Sequence, residues 1–321
     1  MKTRLMTSIL IVAVLALAFV LKSYVSVYFF DALILFITMF SAYEMSKLLK
    51  KMDKPNNQII SVLFPAFLML VLLLNISFDS QVGLIYNLVM SVALIVIFFG
   101  VTFLCSIISK RKTLKEIKYK KIQISLSKYS FQKAMNTAFC FIYPSFLIMF
   151  MCLINHFDEM TTSFVNVTKF GGYFSLVVLL FAFLIPVFTD TFAYLVGGLI
   201  GGKKLCPKVS PNKTISGAVG GLVCCVFFSV AVYFIMFSIP ELKVIFSQTN
   251  FAFWKIIIIS LIGSFLAQFG DLLESHFKRQ AKVKDSGHLL PGHGGMLDRC
   301  DSYMFVMPYI FLAFSILLLA M

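Results

Sequence analysis

Residues 217–239 read GAVGGLVCCVFFSVAVYFIMFSI and contain no charged side chain. A helix needs about 20 apolar residues to cross the roughly 30 Å hydrocarbon core of a bilayer, and this run is long enough. The whole chain has the same character, because 60% of its 321 residues are hydrophobic and 13% are charged. This composition predicts an integral membrane protein and excludes an ordinary soluble domain, which needs more surface charge.

Other apolar runs of similar length occur along the chain, and none shows the alternation of a barrel strand. We therefore expect an all-α integral membrane protein with about nine transmembrane helices. The first run follows Lys2 and Arg4, but it lacks a small-residue cleavage site, so we expect a retained helix. The predicted spans are 5–22, 26–43, 59–77, 83–107, 136–155, 172–196, 217–239, 253–273 and 303–321.

Lysine and arginine positions predict the orientation. With a cytoplasmic amino terminus, the inner segments hold all of the 28 basic residues except Lys22, Lys169, Lys243 and Lys255. This bias predicts that the carboxyl terminus lies outside, and we expect the protein in the inner membrane of a bacterial cell with its active site on the cytoplasmic side. Anionic membrane lipid accounts for the net charge of +14, so no nucleic-acid partner is expected.

Polar residues divide the chain into two parts. Residues 1–135 hold four predicted helices and a basic cytoplasmic loop, and they are expected to be scaffold. Asp31 is either a functional intramembrane acid or a structural carboxylate near the outer side. His156 is expected in an outer loop without a role. Residues 136–321 are the predicted catalytic region, with five helices and two long cytoplasmic loops, 197–216 and 274–302.

Four acids are expected at one membrane level, just under the cytoplasmic interface. Asp190 lies near the inner end of the sixth predicted helix and Asp271 at the end of the eighth. Asp298 and Asp301 lie at the start of the ninth, and their spacing of three places them on one helical face. Unpaired acids there would repel one another, and a hard divalent cation bound by oxygen atoms removes that repulsion.

Cations and glycines surround these acids in the sequence. Glycines allow main-chain N–H groups to approach an anion closely, and lysine and arginine neutralise phosphate charge. The combination favours metal-dependent phosphoryl or nucleotidyl transfer, although salt bridging of the acids, an anion transporter or a channel remain open. The residues are Lys278, Arg279, Lys282, Lys284, Arg299, Gly287, Gly292, Gly294 and Gly295.

Three histidines, His276, His288 and His293, lie in or near the same loop. We expect phosphate contacts or hydrogen bonds from them, because no HExxH motif or cysteine partner indicates zinc. The other loop, 197–216, contains glycine, lysine and serine without the GxxxxGK[ST] pattern. It is therefore a weak phosphate signal by itself.

Two sets of motifs lie within residues 170–305. The downstream set is Ser275-x-Phe277-Lys-Arg279, Lys284-Asp-x-Gly287, Pro291-Gly-His-Gly-Gly-Met296 and Asp298-Arg299-x-Asp301. The upstream set is Asp190-x-x-Ala-Tyr194, Gly202-Lys203, Ser210-Pro211, Lys213-Thr214 and Gly220-Gly221. Together they resemble the signature of the phosphatidate cytidylyltransferases, or CDP-diacylglycerol synthases. Departures from that signature occur at Asn212, Ile215, Ser216 and Cys300.

The resemblance implies an enzyme of phospholipid biosynthesis that converts CTP and phosphatidic acid into CDP-diacylglycerol and pyrophosphate. It implies magnesium, a second cation such as K⁺, and a homodimer. A CTP-dependent lipid kinase, or a cytidylyltransferase for another lipid phosphate, is the alternative, followed by an anion transporter.

The resemblance also implies roles for single residues. Metal ligands would be Asp271, Asp298 and Asp301, and the further catalytic residues would be Lys278, Arg279 and Asp285. Substrate-binding residues would be Ser210, Lys213, Thr214, Lys284, His293, Gly294, Gly295, Arg299 and Asp190.

Overall fold

The structure is a computed structural model that describes residues 2–78, 126–159, 173–249, 251–290, 292 and 294–319, with isolated positions between 89 and 105. Apolar runs form helices, because a helix satisfies its internal backbone hydrogen bonds without water. The elements are α1 (Lys2–Tyr24), α2 (Tyr28–Lys51), α3 (Gln58–Phe78), α4 (Leu126–Cys140), a π-helical turn (Phe141–Phe146), α5 (Leu147–Asn155), α6 (Phe174–Ile200), β1 (Lys204–Cys206), β2 (Ser210–Thr214), α7 (Ile215–Phe237), α8 (Pro240–Gln248), α9 (Phe253–Gln280) and α10 (Leu297–Leu319).

The described part of the chain contains 6 helices long and apolar enough to cross a membrane. This confirms the helical membrane architecture, whereas the count of nine and the orientation of the termini stay predictions. Predicted spans 5–22 and 59–77 coincide with α1 and α3, whose apolar stretches are shorter. Most of predicted span 83–107 lies outside the described residues. The six helices are Tyr28–Lys51, Ser127–Asn155, Phe174–Ile200, Ile215–Phe237, Phe253–Gln280 and Leu297–Leu318.

Both predicted cytoplasmic loops are shorter than expected. In the first, β1 and β2 form an antiparallel hairpin, with Lys204 opposite Thr214 and Cys206 opposite Ser210. The all-α prediction missed this hairpin, which is too short to show an alternating pattern. In the second, α9 continues to Gln280 and α10 begins at Leu297, leaving a short segment, 281–296. The prediction followed hydrophobicity, but helical hydrogen bonding continues beyond the apolar part of a helix.

Helix α10 lies at the centre of the packing, in contact with α2, α5, α6 and α9. Its side chains Met307, Ile310 and Phe311 are buried, and the ring of Phe311 stacks on Phe157 with centroids 5.2 Å apart. Aromatic pairs of this kind add to the stabilisation from burial alone. The first turn of α10, which carries the predicted acids, is therefore held on several sides.

A buried polar network joins α1, α2 and the end of α5. Lys22 Nζ donates to the main-chain oxygen (2.8 Å) and side-chain oxygen (2.7 Å) of Asn155. Asn155 Nδ2 donates to Asp31 Oδ1 (2.9 Å), and Asp31 Oδ2 lies 2.7 Å from His156 Nε2. His156 Nδ1 lies 2.7 Å from Glu159 Oε2. His156, which was expected in an outer loop without a role, is 1% exposed and links two acids in this network.

The same region contains ligand atoms from Asp31, Cys152 and His156 within 4.8 Å of one another. The His156 ring and the Asp31 carboxylate bind each other directly, so the network is complete with protein groups alone. Within α2, Asp31 lies 13 residues before Glu44, which is a distance of about 20 Å along the helix. These contacts favour the interpretation of Asp31 as a structural carboxylate, which stays a prediction.

We expect the stability of the protein to fall as the pH rises from about 6.5 to about 9. Burial lowers the pKa of His156, but hydrogen bonds to Asp31 and Glu159 outweigh burial and raise it from 6.5 to about 9. Because the folded-state pKa is the higher one, the protonated ring stabilises the fold fully below the unfolded pKa and loses this contribution as the pH passes the folded pKa. The contribution is on the order of 3 kcal/mol.

Melting temperatures of the purified protein between about pH 6 and pH 10 test this expectation. His156→Gln provides the comparison, because glutamine does not titrate. The difference in melting temperature between the two proteins should shrink between about pH 6.5 and pH 9 and stay small above pH 9. A difference that stays constant with pH would contradict the assignment.

Candidate active site

Three helices bring acidic side chains to one region. Helix α6 carries Asp190, α9 carries Asp271, and α10 carries Asp298 and Asp301. A Cβ atom at Gly270 would collide with the main-chain oxygen of Asp301, so glycine allows α9 and α10 to approach closely here. This contact places Asp271, the neighbour of Gly270, at the level of Asp301.

Asp298 is held by a dense set of donors at the start of α10. Its Oδ2 accepts hydrogen bonds from the main-chain N–H groups of Ser286 (2.9 Å) and Gly295 (2.8 Å) and from the Ser286 hydroxyl (2.9 Å). Its Oδ1 accepts a hydrogen bond from Lys278 Nζ (2.8 Å). The side chain is 5% exposed. Charge-assisted hydrogen bonds of this number fix the carboxylate in one orientation.

Lys278 joins Asp298 to a second acid, Glu274. Its Nζ forms ion pairs with both carboxylates, and Glu274 lies one turn earlier in α9. Glu274 is fully buried, and among the described residues its carboxylate oxygens have no hydrogen-bond partner besides this ion pair. Lys278 was expected to bind phosphate, and here it neutralises two buried acids.

Asp271, Asp190 and Asp301 form a second group of acids. Asp271 pairs with Lys213 of the hairpin. Asp190 Oδ2 accepts a hydrogen bond from the Ser302 hydroxyl (2.8 Å), and Asp301 Oδ1 accepts one from the Ser302 N–H (2.7 Å). Asp301 interacts electrostatically with both other acids. Each of these carboxylates accepts fewer hydrogen bonds than Asp298 does. Their oxygen atoms therefore have more capacity left to bind a cation.

The chemistry of these donors fits a hard divalent cation. Carboxylate oxygens are the ligands that Mg²⁺ prefers, and the second group has more acids than paired lysines. Asp271, Asp298 and Asp301 do not all offer oxygen atoms within 4.8 Å of one another. That these three residues bind one metal ion stays a prediction. Such binding would require the two groups of acids to come closer together.

The hairpin places the upstream substrate-binding candidates beside the acids. Lys213 reaches Asp271, as described above, and Ser210 begins β2. Thr214 ends β2, and its Oγ1 accepts a hydrogen bond from the N–H of Gly217 (3.1 Å), which makes it the N-cap of α7. The Thr214 hydroxyl therefore has a structural bond in addition to its predicted contact with phosphate.

The remaining candidates lie at the end of α9, in segment 281–296 and at the start of α10. Arg279 Nε donates to the main-chain oxygen of Val209 (3.1 Å) and so ties α9 to the hairpin. Gly294 has a φ of +84°, and a Cβ atom there would crowd Asp298, so glycine suits this position. His293 lies outside the described residues. Exposed candidates are Lys284, Asp285 and Arg299.

Comparison with known proteins identifies the family. The sequence model described as "Cytidylyltransferase family" matches residues 2–317 of the chain. The chain belongs to the cytidylyltransferase family. The match includes α1 to α3 as well as the acids, so the amino-terminal helices are part of the family architecture.

Among the relatives of this cytidylyltransferase-family chain are staphylococcal proteins named phosphatidate cytidylyltransferase. The protein of Staphylococcus saprophyticus is 50% identical over 132 residues, that of Staphylococcus haemolyticus 46% and that of Staphylococcus aureus strain COL 48%. Each match covers 41% of this chain and 46% of the relative. The matched region therefore spans about half the length of these relatives.

Three residues of this cytidylyltransferase-family chain were not expected at the site. Glu274 follows Asp271 by three positions. This spacing places both side chains on one face of a helix, so the sequence did contain a signal for Glu274. Glu44 is an acid at the end of an apolar run, where an ionisable residue is a functional candidate. Ser286 carried no signal in the sequence, since its contact with Asp298 depends on the fold of segment 281–296.

Proposed function

We propose that the protein transfers the cytidylyl group of CTP to phosphatidic acid, giving CDP-diacylglycerol and pyrophosphate. The observation that carries this proposal is the convergence of acids and lysines from α6, the hairpin, α9 and α10 in a chain of the cytidylyltransferase family. The names of the staphylococcal relatives support the same substrates.

In the proposed reaction, a phosphate oxygen of phosphatidic acid attacks the α-phosphorus of CTP. The bond between the α-phosphorus and the oxygen that bridges to the β-phosphorus breaks, and pyrophosphate leaves with that oxygen. A bound Mg²⁺ would neutralise charge on the phosphate oxygens. Lys213 and Arg279, which flank the acids at the hairpin, would bind phosphate groups.

The proposal extends to ions and partners. Asp271, Asp298 and Asp301 would hold Mg²⁺, with a second cation such as K⁺ beside them. A homodimer in the inner membrane of a bacterial cell, with the site facing the cytoplasm, would let a soluble nucleotide meet a lipid headgroup. The exposed apolar residues of α7, such as Val219, Val223 and Phe227, suit contact with lipid or with a second copy.

The test uses the purified protein in detergent with phosphatidic acid, Mg²⁺ and CTP labelled on either the α- or the γ-phosphate. We expect α-label in the lipid product and release of pyrophosphate. Transfer of the γ-label to lipid would indicate a lipid kinase instead. No label in lipid and no pyrophosphate would refute the proposal, provided that the protein is folded by its melting curve.

A further inference from the structure

We propose that Glu44 of α2 is a positioning residue, which fixes segment 281–296 and the first turn of α10 so that Asp298 keeps its orientation. The effect on catalysis rests on the proposed function, whereas the effect on the segment does not. The amino-terminal half was expected to be scaffold, and this inference gives it a part in assembling the site.

Glu44 makes its contacts with residues that are distant in sequence. Its side chain is buried (3% exposed), Oε2 accepts a hydrogen bond from the N–H of Leu297 (2.8 Å), and the hydroxyl of Ser286 lies 3.1 Å from the same oxygen. Leu297 is the first residue of α10, where N–H groups lack partners within the helix. Glu44 therefore acts as an acceptor for the start of the helix that carries Asp298.

Close packing of the segment against this carboxylate supports the same conclusion. A Cβ atom at Gly287 would collide with Oε1 of Glu44, and one at Gly295 would collide with Oε2. The main chain of the segment therefore lies directly against both oxygens of Glu44. Glycine at these two positions allows that approach.

The link from Glu44 to Asp298 passes through shared groups. The Ser286 hydroxyl lies within hydrogen-bond distance of Glu44 Oε2 (3.1 Å) and Asp298 Oδ2 (2.9 Å). The Gly295 N–H donates to Asp298 Oδ2, while its Cα faces Glu44. Loss of the Glu44 carboxylate would free the Ser286 hydroxyl and remove the packing that holds Gly295, and both groups orient Asp298. Substituting a residue that hydrogen-bonds to a metal ligand commonly lowers metal affinity or activity by about 10- to 100-fold.

The first experiment measures hydrogen exchange in the full-length protein, without substrate or metal. Glu44→Ala should increase exchange at the Leu297 N–H by at least about tenfold, the change expected when a hydrogen bond to a charged group is lost. Glu44→Gln retains an acceptor oxygen, so its exchange should stay close to that of the unchanged protein. Asp31→Asn is the matched control: it alters a buried acid of the same helix, about 20 Å away, and should leave Leu297 unaffected.

The second experiment titrates Mg²⁺ at saturating CTP and phosphatidic acid. Glu44→Ala should raise the half-saturating Mg²⁺ concentration and lower kcat, together by about 10- to 100-fold, while Glu44→Gln stays within a few-fold of the unchanged protein. Asp31→Asn should lower the melting temperature and leave the Mg²⁺ dependence unchanged. A residue with a purely structural role would behave like Asp31.

Some results would overturn the inference. Unchanged exchange at Leu297 in Glu44→Ala, or an unchanged Mg²⁺ dependence, would remove Glu44 from this role. Equal impairment of Glu44→Gln and Glu44→Ala would show that charge is needed instead of an acceptor. Should Glu44→Ala not fold, Ser286→Ala tests the shared hydroxyl, with changes expected in the same direction. An inactive unchanged protein would refute the proposed function, and the exchange experiment would still decide the role of Glu44.

Discussion

Replacing Asp298 by asparagine is expected to lower turnover by about 1,000-fold while the protein stays folded. Asparagine has nearly the same size, but it lacks the charge that pairs with Lys278 and that a cation would bind. Losing charge stabilisation of this kind at a phosphoryl-transfer site costs about 4 kcal/mol in the transition state. The measurement is the initial rate of CDP-lipid formation at saturating CTP and Mg²⁺.

Asp158→Asn is a suitable control for this substitution. Asp158 also accepts several hydrogen bonds, from the N–H groups of Phe174 and Ser175 and from the Ser175 hydroxyl, but it lies after α5 and holds the start of α6. We expect it to lower the melting temperature and to leave turnover of the folded protein within about twofold, because its partners lie at the opposite end of α6 from Asp190. Near-normal turnover in Asp298→Asn would exclude Asp298 from the reacting site.

Replacing Lys278 by methionine is expected to lower the free energy of unfolding by about 3–5 kcal/mol and to abolish turnover. Lys278 is the cation that contacts both Glu274, which is fully buried, and Asp298. Methionine would leave the Glu274 carboxylate buried without a partner. Chemical or thermal unfolding in detergent, together with the CDP-lipid assay, measures both effects.

A second substitution separates stability from catalysis. In the double variant Lys278→Met with Glu274→Gln, the buried carboxyl group that lost its lysine is gone, so at least about half of the lost stability should return. Turnover should not return, because Asp298 still lacks its lysine. If the double variant is as unstable as the single one, the Glu274–Lys278 pair is not the source of the effect.

The acids could be located from sequence because the relevant information is local. Apolar runs define where each helix lies in the bilayer, and spacing of three places Asp298 and Asp301 on one face. Topology then brings the ends of separate helices to one level, as the close contact between Gly270 and Asp301 bears out. The same reasoning missed the β1–β2 hairpin, because a few residues of strand carry no detectable period.

Contacts between distant segments were beyond this reasoning. Glu44 lay in a part interpreted as scaffold, and nothing near it in sequence points to Ser286 or Leu297. His156 was likewise expected to have no role, because its partner Asp31 is distant in sequence and reaches it once α2 and α5 are packed. Hydrophobicity also predicted too long a loop at 274–302, because both flanking helices extend past their apolar residues.

The bond between Glu44 and the N–H of Leu297 joins positions 253 residues apart. During synthesis, nascent α2 therefore enters the bilayer long before the groups that donate hydrogen bonds to its carboxylate have been made. An acid without partners at that depth is costly, so the final helix completes both the site and the second helix. Translation that stops short of Leu297 would leave this defect in the membrane, where cellular proteolysis can act on it.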